Sequence, residues 1–368
     1  MEKAHRDKGV REAMWKVPPT VANGFDAVTK LGGVLQTGMR TAAELCVEAS
    51  RQAGSMLPVT NRHRDRDPAP AEAPCFVRSR PNGVAPITVA YERQGTGEPV
   101  VLLHGIGQDR HAWDQVIPLL GAEREAITLD LPGFGQSPDL SADVPRDLPT
   151  MVSGLGAVFK ALGVRRPHVV GHSLGGLIAL RLAQAGLVRS VTALAPAGFW
   201  NEGERRYAFA VLATARQLAR LPDTVVERMA GTVVGQVALT RILYGSADGC
   251  PPDTLTACLR ALRQSVAFQA TLRAGRAPDL FNGTIADIPV TIAWGTHDRL
   301  LPDRQAARVM AVIPGARLVQ LTGCGHVPMN DAPERVAKLI LRSTASSRTG
   351  SQRVARVPVP RQGASHRG

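Results

Sequence analysis

The 368-residue chain is 44% hydrophobic, enough for a substantial core, and its formal charge of +13 would suggest an acidic partner if the charge were concentrated. It is not: residues 1–80 contribute +4, residues 81–343 +4 and residues 344–368 +5, and with no helix-turn-helix, RNP or zinc pattern beside it this charge speaks against nucleic-acid binding. The five cysteines, Cys46, Cys75, Cys250, Cys258 and Cys324, form no C-x-x-C or Cys/His spacing, so neither a metal site nor a disulfide framework is expected.

From the start of the chain, charge continues past residue 10 and the apolar stretch after Phe25 is interrupted by Lys30, Gln36 and Arg40, so no signal peptide is legible and the cytoplasm is the expected compartment. No apolar run approaches the roughly 18 residues of a membrane span. Between Asp26 and Ala53, Val28, Leu31, Leu35, Met39, Ala42, Cys46, Ala49 and Ala53 recur at helical spacing, with Lys30, Arg40, Glu44, Glu48 and Arg51 opposite. This predicts an amphipathic helix able to contact protein or membrane. Glu44 and Glu48 beside Arg40 and Arg51 favour protein, because membrane-surface helices carry an excess of Lys and Arg. Residues 61–73, rich in Arg, Asp and Pro, read as a linker, so residues 1–75 form an extension ahead of a domain at 76–343.

Strands are expected over 75–80 and 87–93, with a turn at Pro81-Asn82-Gly83. Further strands follow at 99–103, 126–131, 167–170 and 190–195, separated by a helix over 148–162 and another over 177–187. This alternation is what a parallel sheet requires. The rhythm stops between Asn201 and Gly283, where helices are expected over 205–220, 224–231 and 255–275. It resumes with strands at 290–293 and 316–321 and a helix from Ala332. Residues 344–368, with five arginines and no acidic residue, read as a disordered basic tail.

The chemistry sits in the turns. Gly171-His172-Ser173-Leu174-Gly175 lies between a strand and a helix, the setting of a nucleophile elbow, where small flanking residues let a strained turn hold one serine clear of the sheet. A serine hydroxyl is a poor nucleophile at neutral pH and needs a base to take its proton. His326 in Gly323-Cys324-Gly325-His326 is the candidate base, and Asp298 in Trp294-Gly295-Thr296-His297-Asp298 is the candidate acid that orients it. An alternative role for Asp298 is capping the helix near Pro302. A tetrahedral intermediate also needs backbone donors. Leu174, directly after the serine, and Ile106 in His104-Gly105-Ile106-Gly107 are assigned to that oxyanion hole.

His104 is expected to be structural, and His172 and His297 to be packing or polar neighbours. Asp130 and Ser137 are expected to stabilise the Gly-rich turn between them, and Cys324 to pack. Trp113, Phe199 and Trp200 are candidates for either the pocket or the core.

Together, His104-Gly105, Asp130 through Ser137, the elbow, Trp294 through Asp298 and Gly323 through Pro328 resemble the α/β-hydrolase family, in order, from about Pro81 to Arg342. The resemblance implies an α/β fold: an eight-stranded, mostly parallel sheet flanked by helices, with a helical lid inserted at about 201–283. It also implies the catalytic set Ser173, Asp298 and His326, no cofactor or metal, and a small-molecule acyl substrate. The leading expectation is hydrolysis of a carboxylic ester through an acyl-enzyme. Relatives that cleave carbon-carbon bonds or act as cofactor-free haloperoxidases or perhydrolases share the triad, and a non-catalytic binding protein is a third reading. Dehalogenases and epoxide hydrolases of this fold use an aspartate nucleophile, and Ser173 argues against both.

Overall fold

A computed structural model describes residues 75–81, 85–225, 240, 242–245, 252–278, 280–285 and 288–345. The helix expected over 26–53, the linker, the turn at Asn82-Gly83, the part of the 224–231 segment beyond Val225 and the tail beyond Ala345 lie outside them.

Eight strands form one sheet: β1 (Cys75–Ser79), β2 (Ile87–Gln94), β3 (Glu98–Leu103), β4 (Arg124–Leu129), β5 (His168–His172), β6 (Ser190–Leu194), β7 (Val290–Gly295) and β8 (Arg317–Leu321), in the order β1-β2-β4-β3-β5-β6-β7-β8. The β1/β2 and β2/β4 pairs are antiparallel and the remaining pairs parallel. The inner strands are apolar along their whole length because both faces are covered. Val101, Leu103, Ile127, Leu129, Val169 and Ile292 join one buried cluster, while their alternates Val100, Leu102, Ala126, Val170 and Ala293 join another.

The longer described helices are α1 (Leu148–Ala161), α2 (Leu174–Gln184), α3 (Glu202–Leu218), α4 (Pro252–Gln264), α5 (Phe268–Ala274), α6 (Gln305–Val312) and α7 (Pro333–Ala345), with short helical turns at Arg110–Trp113, Ile117–Leu120 and Pro328–Asp331. Asp147 caps α1, accepting the Thr150 N–H at 2.8 Å. On the opposite face, α7 buries Val336, Ala337, Leu339 and Ile340 in the second cluster. The last helix thus reaches Ala345, past the expected start of the tail at residue 344. Between β6 and β7 the described chain is helical, with α3, α4 and α5 where the insertion was expected.

Two expected elements differ. The helix after the elbow begins at Leu174 rather than Leu177, because Gly175 and Gly176 lie within the helix instead of preceding it. Their small size serves close packing: a Cβ on Gly175 would collide with the Leu103 and His104 carbonyls. The helix expected over 255–275 is two helices. It breaks at Ser265–Ala267, where the Ala267 N–H leaves the helix to donate to the Gly133 carbonyl at 3.1 Å and the Arg216 guanidinium takes up the Leu262 and Ser265 carbonyls. Among the described residues, no helix is long and apolar enough to cross a membrane.

Candidate active site

The parallel strands deliver the candidate residues to one edge of the sheet. Ser173 follows β5, the His104–Gly107 loop follows β3, Asp298 follows β7 and His326 follows β8, all at carboxyl ends of strands, where open α/β sheets bind ligands.

Ser173 occupies a left-handed backbone conformation, φ 53° and ψ −111°, at the junction of β5 and α2. This is costly for a residue with a side chain, and the neighbourhood holds it in place. The Ser173 N–H donates to the Leu194 carbonyl at 2.9 Å, and its own carbonyl accepts from Leu177 and Ala197 at 3.1 and 3.0 Å. A Cβ on Gly171 would collide with the Gly175 carbonyl, so the strand and helix can meet this closely only with glycine there.

Asp298 is buried and divides its carboxylate between two tasks. Oδ1 accepts the N–H groups of Leu300 and Leu301 at 3.0 and 2.8 Å, while Oδ2 lies 2.8 Å from His326 Nδ1. Of the two expected roles of Asp298, the histidine partner is the one the geometry forms: Oδ1 closes the turn at Leu300 and Leu301 and does not cap the following helix, which begins at Gln305 beyond Arg304. The accepting carboxylate places the imidazole proton on Nδ1 and leaves Nε2 free to accept. The structure closes no hydrogen bond between Ser173 Oγ and His326 among the described residues. The two are joined through the adjacent residue: the His172 and His326 rings lie 4.8 Å apart.

Ser173, Ile106 and Leu174 line one cavity of about 360 Å³. Neither the Ile106 nor the Leu174 N–H is taken by an acceptor among the described residues. For Leu174 this follows from its place at the start of a helix, whose first N–H groups have no intrahelical partner. Most other walls are apolar, among them Leu177 and Ile178 from α2 and Phe209 and Leu212 from α3. Trp200 lines this cavity, whereas Trp113 is buried in the second core cluster and Phe199 packs on Phe281.

His172, expected as a packing or polar neighbour, is a polar one. Its Nε2 lies 2.7 Å from the His326 carbonyl and its Nδ1 2.9 Å from Gln108 Oε1, which also accepts the Gly105 N–H at 2.9 Å. The ring's single proton, on Nε2, donates to the His326 carbonyl and ties the elbow strand to the histidine loop, while Nδ1 lies beside the Gln108 amide of the loop after β3. Burial, reinforced by the neighbouring His326, holds its pKa well below the ordinary imidazole value. Gln108 gives no signal in the sequence, because its partners come from distant segments.

Asp331 was also not legible. Its Oδ2 accepts the N–H of Gly325, next to His326, at 2.7 Å and that of Gly245, from the inserted segment, at 3.0 Å. Burial raises the Asp331 pKa against the pull of these two amides. The Val327 N–H donates to the Leu243 carbonyl at 3.1 Å, a second tie between insertion and histidine loop. Burial also pushes up the phenol of Tyr207, on α3, and the Asp298 carboxylate adds to that rise.

The remaining motif residues hold the frame. His104 Nδ1–H donates to the Gly105 carbonyl at 2.7 Å and Nε2 accepts the Leu131 N–H at 2.9 Å, leaving no free ring nitrogen. Asp130 accepts from the Arg110 N–H, the Arg110 guanidinium and the Gln136 N–H, and the Ser137 hydroxyl donates to the Asp130 carbonyl at 2.6 Å. Cys324 is fully buried beside Arg335, and burial raises its thiol pKa, the setting of an inert cysteine. His297 is exposed. Among the described residues no cluster of His, Cys, Asp or Glu could hold a metal ion.

A family model described as "Alpha/beta hydrolase family" matches residues 100–339. An uncharacterized protein of Mycobacterium tuberculosis is 30% identical over 304 residues, covering 77% of this chain and 85% of that one. An epoxide hydrolase of the same species is 32% identical over 187 residues, covering 49% of this chain and 86% of its own length. Among solved structures, a thermophilic esterase from Thermogutta terrifontis superposes with a TM-score of 0.58 at 22% identity, over 75% of this chain and all of that one, a likeness of fold. With the sheet order, the turns at its carboxyl edge and a family match over most of the described chain, the protein belongs to the alpha/beta hydrolase family.

Proposed function

We propose that the protein is a serine hydrolase that cleaves a carboxylic ester through an acyl-enzyme on Ser173. The observation that carries this reading is the strained Ser173 on the wall of a cavity that also receives two unengaged backbone N–H groups, Ile106 and Leu174. Strain of this kind persists only where surrounding structure enforces it. The buried Asp298–His326 pair supplies the base at the same edge of the sheet.

In this mechanism His326 Nε2 takes the Ser173 hydroxyl proton as Oγ bonds to the ester carbonyl carbon. The carbonyl electron pair moves onto oxygen, where the Ile106 and Leu174 N–H groups stabilise it. Collapse breaks the bond to the alkoxy oxygen, which leaves with the proton from His326. Water then repeats the sequence, releasing the acid and restoring the Ser173 hydroxyl. Asp298 holds the ring and stabilises its protonated form throughout.

A fluorophosphonate probe should label Ser173, and Ser173→Ala should abolish labelling and lower ester turnover by about 10⁴- to 10⁶-fold. Wild-type rates from a folded Ser173→Ala variant would end this reading. The helices between β6 and β7 act as a lid in this proposal, since α3 and α5 line the cavity together with α2.

A further inference from the structure

The cavity at Ser173 follows α2 for two turns. Ser173, Leu174, Leu177, Ile178 and Arg181 all line it, at spacings that put them on one helical face. Four of these suit an acyl chain beside a nucleophile. The fifth is a half-buried guanidinium. Arg181 Nη1 donates to Gln184 Oε1 at 2.9 Å, and Gln184 Nε2 in turn donates to the Asn282 carbonyl at 2.6 Å, so a neutral amide tied to a neighbouring loop steadies the cation.

No carboxylate pairs with Arg181 among the described residues. The other charged groups of the wall are already engaged: Arg146 by Asp139 and the Pro132 carbonyl, Asp147 by the Thr150 N–H. A cation beside apolar walls without a counter-ion is poorly solvated, and an anionic ligand group that reaches it gains a charge-assisted hydrogen bond. We propose that Arg181 receives the carboxylate end of a medium-length acyl chain whose ester carbonyl sits at Ser173, so that the substrate is a monoester of a dicarboxylic acid.

This inference rests on the ester-hydrolase reading and adds the substrate class. The acyl half is assigned to the cavity because it stays on Ser173 while the alcohol departs, and the largely apolar walls suit the retained chain. Eight residues of helix span about 12 Å along the axis. The charge-assisted hydrogen bond at the Arg181 end takes up about 3 Å of that span. At roughly 1.2 Å per extended chain bond, a third of an extended residue, the remaining gap fits about six to eight carbons.

The test compares kcat/KM for mono-p-nitrophenyl suberate and for p-nitrophenyl octanoate, which match in length and differ in the terminal carboxylate. The wild-type ratio should favour the suberate by about tenfold or more and should shrink as ionic strength rises. Arg181→Gln should bring that ratio toward one, and Arg181→Lys, a point charge without the fork, should keep part of it. A wild-type ratio near or below one, or a ratio unchanged by Arg181→Gln, would overturn the assignment. If neither ester turns over, fluorophosphonate labelling separates the failures. A labelled Ser173 overturns the carboxylate assignment alone, and an unlabelled Ser173 overturns the hydrolase reading with it.

Discussion

Asp298 is the residue at which one substitution separates two jobs. Its Oδ1 is committed to the Leu300 and Leu301 N–H groups. In Asp298→Asn the amide oxygen can keep those bonds, which turns the amide NH₂ toward His326 Nδ1. Two donors cannot face each other, so the imidazole proton moves to Nε2, the nitrogen that must accept from Ser173. The expected outcome is a fold of nearly unchanged stability with turnover lowered about 10⁴-fold and KM little altered, measured on a chromogenic ester. Near-normal turnover would mean that another group is the acid. His172 should behave differently, because it touches no substrate and acts through what it holds. His172→Phe keeps the volume but leaves the buried His326 carbonyl without its donor, a loss of about 1–3 kcal/mol in stability. Urea denaturation measures that loss, and a fall in kcat larger than any rise in KM would identify His172 as a positioning residue.

At the scale of elements, the inserted segment is tied to the loop that carries His326. Residues 242–245 lie against the histidine loop, bound through the Leu243 carbonyl and through Asp331, and α3 is anchored to α6 by Glu204, whose carboxylate meets Arg304 at 2.7 Å and also Arg308. Asp331→Ala removes the shared acceptor of Gly245 and Gly325, so His326 should lose alignment and kcat should fall about tenfold or more while KM holds; one charged hydrogen bond is worth about that factor. Asp331→Asn, which retains an acceptor oxygen, should recover most of the rate. Equal losses in both variants would show that the contact serves only the fold. Ser173, Asp298 and His326 were legible in the sequence because each sits in a glycine-marked turn after an apolar strand, a local pattern with a local cause. Asp331, Gln108 and Arg181 were not, because their significance lies in contacts between segments far apart in the chain. The same holds for the early start of α2 and the break between α4 and α5, which depend on the close approach of Gly175 to β3 and on Ala267 reaching Gly133. Helical periodicity alone cannot register either contact.

For the whole molecule, burial rather than net charge governs the response to acid near neutrality. His104, His168 and His172 all have pKa values lowered from 6.5, with desolvation the largest cause in each. The unfolded chain therefore takes up protons near that value while the folded chain resists them. Their contribution is fully present above the unfolded value and is lost as pH falls from there toward the folded values. Exposed His111, whose pKa is raised by its hydrogen bond to Asp114, opposes this trend singly in the same range, and half-buried Asp109 and Asp331, whose pKa values are raised by desolvation, oppose it at lower pH, where carboxylates titrate. Urea midpoints should accordingly decline between about pH 7 and pH 5.5; a flat or rising midpoint would show that these histidines are charged in the native state. The N-terminal extension belongs to a separate argument. Among the described residues the sheet begins with β1, which pairs there with β2 alone, and every residue assigned to the site follows it in the chain. Deleting residues 1–72 should therefore leave hydrolysis of a short-chain ester within about twofold, a free-energy change below 1 kcal/mol. If the stripe from Val28 to Ala53 forms a helix that packs on protein, as Glu44 and Glu48 on its polar face favour, the truncation should alter oligomeric state in sedimentation rather than recovery with lipid vesicles. A truncated protein that keeps its circular dichroism and thermal transition yet cannot cleave the ester would place part of the active site ahead of Glu72 and move the domain boundary with it.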